Sequence, residues 1–209
     1  MISITSVLAL DYASVFIFAL TGALTASRAQ LDVVGFVFVA CLTAVGGGTV
    51  RDVILDRGVF WVSEPSFILV ASGAAFFVFF TAHVLESRLK AIFWLDAAAL
   101  AVAVPAGVGA ALAVGVAWPI VIIMGIATGC FGGLMRDVVC NEVPLVLKQG
   151  ELYVTCALAG VAAALGMLAI GQPIEVALTI CAAVTFVLRG GGLAFGWRLP
   201  VYKSRPPSA

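Results

Sequence analysis

Seven long apolar runs, near residues 10–27, 32–56, 66–86, 92–114, 118–140, 152–171 and 173–194, fill most of this chain, and only short polar breaks separate them. About 20 apolar residues cross the ~30 Å hydrocarbon core of a bilayer as a helix. Inside lipid every backbone N–H and C=O must find its partner within the spanning structure, so such runs fold as helices. The breaks carry their own signals. Arg28 to Asp32 is polar, Arg57 to Ser66 contains Glu64-Pro65, and Glu86 to Lys90 is charged. Gly115 and Pro119 bracket a turn, Asn141 to Glu151 is a polar loop, and Gly171-Gln172-Pro173 is a second turn.

Composition agrees. With 63% hydrophobic and 11% charged residues and a mean hydropathy of +1.20, 209 residues cannot hide their apolar surface in a water-soluble domain. The 11 basic and 11 acidic residues balance, so net charge points to no nucleic-acid partner. No Lys or Arg precedes the first apolar run, so that run is expected to be retained rather than cleaved as a signal peptide. The five cysteines (Cys41, Cys130, Cys140, Cys156, Cys181) lie in apolar stretches without CxxC spacing and read as small hydrophobes. With His83 the sole histidine, neither a metal set nor a nucleophile with its base is visible, and no cofactor is expected; the chain does not read as an enzyme.

Basic residues are unevenly placed. Apart from Arg51 and Arg136, which fall within spans, one side collects Arg28, Arg88, Lys90, Lys148, Arg189, Arg198, Lys203 and Arg205, and the other only Arg57. The basic side faces the cytoplasm, which puts the C-terminus inside, the N-terminus outside, and the chain as a multi-pass protein in the cell's inner (plasma) membrane. Trp61, Trp94, Trp118 and Trp197 fall at expected span ends, at the depth of interfacial anchors.

The chain also repeats itself. Displaced by 85 positions, Leu10-Asp11 falls on Leu95-Asp96, Gly22 on Gly107, Thr43 on Thr128, Gly47-Gly48 on Gly132-Gly133, and Arg51-Asp52-Val53 on Arg136-Asp137-Val138. Three spans per copy is an odd number, so the second copy enters the membrane from the opposite side. The expected fold is all-α: a polytopic membrane protein of seven transmembrane helices, two inverted three-helix repeats (1–90 and 91–171) followed by a seventh helix and cytoplasmic tail (172–209).

The repeated string carries the chemistry. The second span reads Thr43-Ala-Val-Gly46-Gly47-Gly48-Thr49-Val-Arg51-Asp52, and the fifth reads Thr128-Gly129-Cys-Phe-Gly132-Gly133-Leu-Met-Arg136-Asp137. Consecutive glycines weaken a helix and bare its backbone. A kink or break there would aim carbonyls near Ala44, Val45, Gly129 and Cys130 into a cavity, where they could replace a cation's hydration shell. Small residues equally let two helices pack closely. A charge within a span is normally paired or faces water, so Arg51-Asp52 and Arg136-Asp137 either bracket a glycine-lined waist or snorkel to the interface from their span ends. Asp11 and Asp96 open the first and fourth spans, as partners of the helix dipole or as mouth charges for cations. Pro105 predicts a kink in the fourth helix and Pro144 the end of the fifth. His83, with Glu86 nearby, reads as an interfacial histidine.

At Gly46-Gly-Gly-Thr-Val-Arg-Asp-Val-Ile-Leu55 and Gly132-Gly-Leu-Met-Arg-Asp-Val-Val-Cys-Asn-Glu-Val-Pro-Leu-Val-Leu147 the chain resembles the prokaryotic branch of the trimeric intracellular cation (TRIC) channels, formerly grouped as UPF0126 membrane proteins with glycine-transporter domains. The resemblance covers nearly the whole chain. It implies a homotrimer with a pore in each protomer, and helices bent at Gly46, Gly47, Gly48, Gly132 and Gly133. It places Arg51, Asp52, Arg136 and Asp137 along or beside the pore, with Thr49 and Gly129 in the same strings. The implied permeant ion is potassium, with sodium possible. The lysine-rich motif by which animal members hold an acidic inositol lipid has no equivalent here, so apart from the surrounding membrane lipid no lipid partner is implied. The same family label supports a second reading, a carrier for glycine or another small amino acid, whose two charged ends would suit the Arg-Asp pairs.

Overall fold

The computed structural model describes residues 4–84 and 88–200. It is helical throughout. Seven helices follow in order: α1 (Ile4–Arg28), α2 (Val33–Ile54), α3 (Ser66–Thr81), α4 (Arg88–Val114), α5 (Trp118–Val139), α6 (Val154–Ala169) and α7 (Ile174–Phe195). Single helical turns at Phe60–Ser63 and Leu145–Leu147 follow α2 and α5. Six helices are long and apolar enough to cross a membrane; α6, at 16 residues, is apolar but shorter.

Local chemistry sets the ends. Asp32 caps α2 by accepting the Gly35 amide at 2.8 Å. After α2 and α5 the chain turns through Asp56 (φ 50°) and Asn141 (φ 56°), both left-handed, a conformation that short polar side chains tolerate. These two positions are again 85 apart. So α5 is ended by Cys140 and Asn141, not by Pro144, which instead precedes the turn Leu145–Leu147. Helix α4 runs unbroken through Pro105.

α4 is the most enclosed candidate span, with 72% of its apolar window buried, whereas α3 is only 33% buried. Phe76, Phe77 and Phe80 stand exposed on α3, the expected state of a lipid-facing surface. Helix α1 packs on α2, α3 and α4; α5 packs on α2, α4 and α6; α7 closes against α4 and α6. The five cysteines are all free, three buried and two half-buried. His83 is exposed in a short turn after α3, while its expected neighbour Glu86 lies outside the described residues, as do Lys203 and Arg205. Arg189 is not a loop cation: it is 1% exposed, within α7.

Candidate functional site

The two Arg-Asp strings sit inside the protein. Arg51, Asp52, Arg136 and Asp137 are all buried, which removes the snorkelling alternative for them. Arg51 donates from Nη1 to Asp11 Oδ1 at 3.0 Å and from Nε to Asp52 Oδ1 at 2.8 Å. Arg136 does the same to Asp96 (3.0 Å) and Asp137 (2.8 Å). In each cluster one guanidinium therefore bridges two carboxylates, the arrangement that makes a buried charge tolerable. The second oxygen of each Arg-Asp carboxylate accepts a backbone amide of the next helical turn, Phe60 N to Asp52 Oδ2 at 3.0 Å and Leu145 N to Asp137 Oδ2 at 2.8 Å. Every partner is displaced by 85 residues between clusters, so the sequence repeat is also a repeat of contacts.

Asp11 and Asp96 thus take a role their position did not suggest. Asp11 lies well inside α1 and Asp96 well inside α4, too far along to cap either helix, and each is an arginine's counter-charge. The signal was present in the sequence as the same 40-residue interval between Asp and Arg in both copies. The clusters differ in surroundings. Arg57, partly exposed, stands 3.6 Å from Asp52, and the Phe60 ring lies 5.6 Å from the Arg51 guanidinium carbon. In the second cluster the fully buried Tyr153, not singled out from sequence, takes the place near Asp96 and Gly133.

The glycines do not break their helices. Both α2 and α5 are continuous through them, so the carbonyls of Ala44, Val45, Gly129 and Cys130 stay within helical segments. What the glycines provide is approach. A Cβ on Gly47 would collide with the Thr128 carbonyl oxygen, and one on Gly132 with the Thr43 carbonyl oxygen. Helices α2 and α5 therefore cross backbone against backbone, as small residues permit. The other glycines face elsewhere: Gly46 towards Met135, Gly48 towards the Phe60 ring, and Gly129 towards Leu100 and Val104 of α4. Thr49 faces the turn after α2, where Trp61 Nε1 donates to its hydroxyl at 2.8 Å.

Beside the crossing is a small cavity of about 10 Å³, lined by Asp11, Ser14, Thr43, Gly47, Phe60 and Thr128 among others. That is room for about one water molecule. A larger recess of about 320 Å³ opens on the far side of Phe60 and Asp11, with Arg57 and Glu64 on its walls. Among the described residues no group of three or more His, Cys, Asp or Glu could hold a metal ion.

The same arrangement has relatives. A family model described as "Glycine transporter" matches residues 8–83 and 93–169, once for each copy of the repeat. The UPF0126 inner membrane protein YadS of Escherichia coli K12 is 34% identical over 199 residues, covering 92% of this chain and 94% of that protein. A UPF0126 membrane protein of Vibrio cholerae is 35% identical, covering 92% and 81%. Among solved structures, the TRIC trimeric intracellular cation channel orthologue from Rhodobacter sphaeroides is 44% identical, with a TM-score of 0.89 over 92% of this chain and 99% of that one. A second, described under conductance through TRIC cation channels, is 26% identical with a TM-score of 0.83, covering 95% and 98%. These relatives are named as channels and membrane proteins rather than enzymes. With matches to family, sequence and fold that each span most of its length, this chain belongs to the TRIC/UPF0126 family of helical membrane proteins.

Proposed function

We propose that this protein is a monovalent cation channel, with potassium its main permeant ion and sodium a lesser one, and with a pore in each protomer of a homotrimer. In this reading all seven helices span the inner membrane as two inverted three-helix halves, 1–90 and 91–171, with the seventh helix and tail at 172–209. The N-terminus faces outward and the C-terminus the cytoplasm. The ion path runs by the α2–α5 crossing, past Gly46, Gly47, Gly48, Thr49, Gly129, Gly132 and Gly133, between the clusters of Arg51-Asp52 and Arg136-Asp137, with Asp11 and Asp96 at its charged ends.

One observation carries the reading: a polar cavity lined by Asp11 sits where two equivalent helices cross, and each of those helices carries a buried arginine bridging two aspartates. A folded membrane protein keeps intramembrane charges where they serve an ion or substrate path. The similar solved structures are TRIC cation channels, which favours an ion over an amino acid. A cavity with room for one water passes no ion, so this conformation is closed, and conduction requires α2 and α5 to part at Gly47 and Gly132.

The test is reconstitution into potassium-loaded liposomes, with ion flux and glycine uptake measured side by side, and single-channel recording in planar bilayers. Unitary potassium currents that change in Arg136→Ala and Gly132→Leu are expected. Saturable glycine uptake without unitary currents would instead establish the carrier. Potassium flux unchanged in both variants would remove the ion path from this site.

A further inference from the structure

A further polar site lies towards the C-terminal end of α7, with Tyr153 standing between it and the second Asp-Arg-Asp cluster. Arg189 is 1% exposed. Its Nη1 donates to the Leu152 carbonyl at 3.2 Å, its guanidinium carbon lies 5.0 Å from the Tyr153 ring centroid, and its Nη2 stands 2.9 Å from Glu151 Oε2. That ion pair lacks hydrogen-bond geometry, and neither Nε nor Nη2 of Arg189 has a hydrogen-bond partner among the described residues. Buried donors without acceptors are costly and rare in native proteins. The side chain lines a pocket of about 230 Å³ shared with Glu151, Gly192, Trp197 and Arg198.

The pocket is built by the sequence Arg189-Gly-Gly-Gly192. A Cβ on Gly190 would meet the Trp94 ring at 3.3 Å, and one on Gly191 would collide with the Trp197 ring. At Gly192 a Cβ would rest in ordinary van der Waals contact, 3.7 Å from Leu152 and 3.9 Å from the Trp197 carbonyl oxygen, so a methyl is tolerated there but a larger side chain would reach into the pocket that Gly192 lines. The chain after α7 is tied across the pocket's rim by Leu199 N donating to the Gly150 carbonyl at 2.9 Å and by pairing of Glu151 with Arg198. Phe93, another wall residue, has the Lys148 ammonium 5.1 Å from its ring centroid. Two arginines and one carboxylate thus line the recess, with Lys148 behind its Phe93 wall, at a helix end edged by tryptophans, which is the depth of lipid headgroups.

We propose that this pocket is a phosphate site, in which a phosphate group takes the unpartnered Nε–H of Arg189 and displaces Glu151 from Nη2, with Arg198 closing over it and Lys148 adding charge from beyond Phe93. The Nε and Nη2 edge of a planar guanidinium matches two phosphate oxygens. Basic pockets between membrane helices are the places where anionic headgroups bind. The source of the phosphate is either an anionic phospholipid or soluble phosphate. Glu151 competes with it for Arg189.

The experiment uses the full-length protein and reads binding, not ion flux, so its outcome is separate from the channel reading. Retained phospholipid is counted per protomer by native mass spectrometry after exposure to equimolar phosphatidylglycerol and phosphatidylcholine. In parallel, 31P line broadening of inorganic phosphate is followed in lipid-free detergent. The wild type is expected to retain phosphatidylglycerol selectively. Loss of one charge-assisted contact weakens binding by about tenfold, so Arg198→Gln should lower retention by that order. Gly192→Leu, which puts a large side chain on the pocket wall, should abolish it. Glu151→Gln should increase retention, whereas a purely structural Arg189–Glu151 pair predicts no gain. Broadening of inorganic phosphate that Arg198→Gln and Gly192→Leu remove, without lipid selectivity, supports the same site with a soluble source. Equal retention of both lipids and no phosphate broadening, or retention unaltered by Gly192→Leu, overturns the proposal.

Discussion

Replacing each bridging arginine by methionine separates the two clusters by their surroundings. The bonds are matched, 3.0 Å to one aspartate and 2.8 Å to the other in both. Methionine keeps much of the side-chain volume and removes the charge, leaving two carboxylates uncompensated. Breaking a buried pair from one side costs about 3–5 kcal/mol, and Arg136→Met should fall in that range. Arg51→Met should cost about 1 kcal/mol less. Arg57 already stands 3.6 Å from Asp52, and Asp11 lines the recess behind Phe60, whereas Asp96 is completely buried and one of its oxygens has no partner. The assay is reversible denaturant titration in mixed micelles with linear extrapolation to zero denaturant. Adding Arg57→Ala to Arg51→Met should erase most of the difference, because it removes the substitute cation. The reasoning is refuted if Arg51→Met costs as much as Arg136→Met or more. It is equally refuted if both cost under about 1 kcal/mol, which is the behaviour of solvated surface pairs.

Two further predictions concern the backbone. Gly47→Ala and Gly132→Ala each place a methyl against a carbonyl oxygen of the opposite helix, and each should destabilise by about 1–3 kcal/mol. Gly166→Ala, where open space surrounds the new methyl, should not; the same denaturant titration ranks the three. At the left-handed positions after α2 and α5, Asp56→Ala and Asn141→Ala should each cost about 1 kcal/mol, while the glycine variants are neutral or better by thermal melting.

The helices, their approximate ends and the repeat were legible because the hydrocarbon core allows few solutions: apolar length and short polar breaks suffice. The runs 118–140 and 152–171 fall within two residues of α5 and α6, but what ends α5 is the left-handed Asn141 rather than Pro144. At the crossing, the Gly-Gly-x-x-Arg-Asp strings left two geometries open, a broken helix or close packing, and the structure shows the second. A run of glycines signals either a broken helix or a close crossing, and the choice depends on what stands opposite. Here it is the helix of the other copy, with Thr128 against Gly47 and Thr43 against Gly132. Asp11 and Asp96 were visible as a matched pair, yet their partners lay 40 residues on, a distance that pattern reading within one span does not cover. Arg189 was counted with the basic side although it falls inside the run 173–194, because basic residues near a span's end usually reach the interface, and here it is buried within α7 instead.

The placement of the charges also decides where the molecule can yield. Each arginine ties helices of its own half: Arg51 of α2 to Asp11 of α1, Arg136 of α5 to Asp96 of α4. Each neighbouring aspartate then fastens the helical turn that follows, through Phe60 or Leu145. The strong buried bonds of the clusters therefore run inside the halves. Between the halves, α2 meets α5 through glycine and carbonyl surfaces, and an ion pair that bridges them, Arg28 to Glu142 at 3.4 Å, is about one-third exposed on both sides. Dispersion contacts are individually weak and are lost gradually as surfaces part, whereas a buried ion pair resists opening by several kcal/mol. Sliding or parting α2 and α5 at Gly47 and Gly132 would consequently leave both clusters intact. A motion of α1 against α2, or of α4 against α5, would have to break one. The crossing of the two glycine faces is therefore free of the clusters' buried ion pairs, and under the proposed function it is where the adjoining water-sized polar cavity would widen.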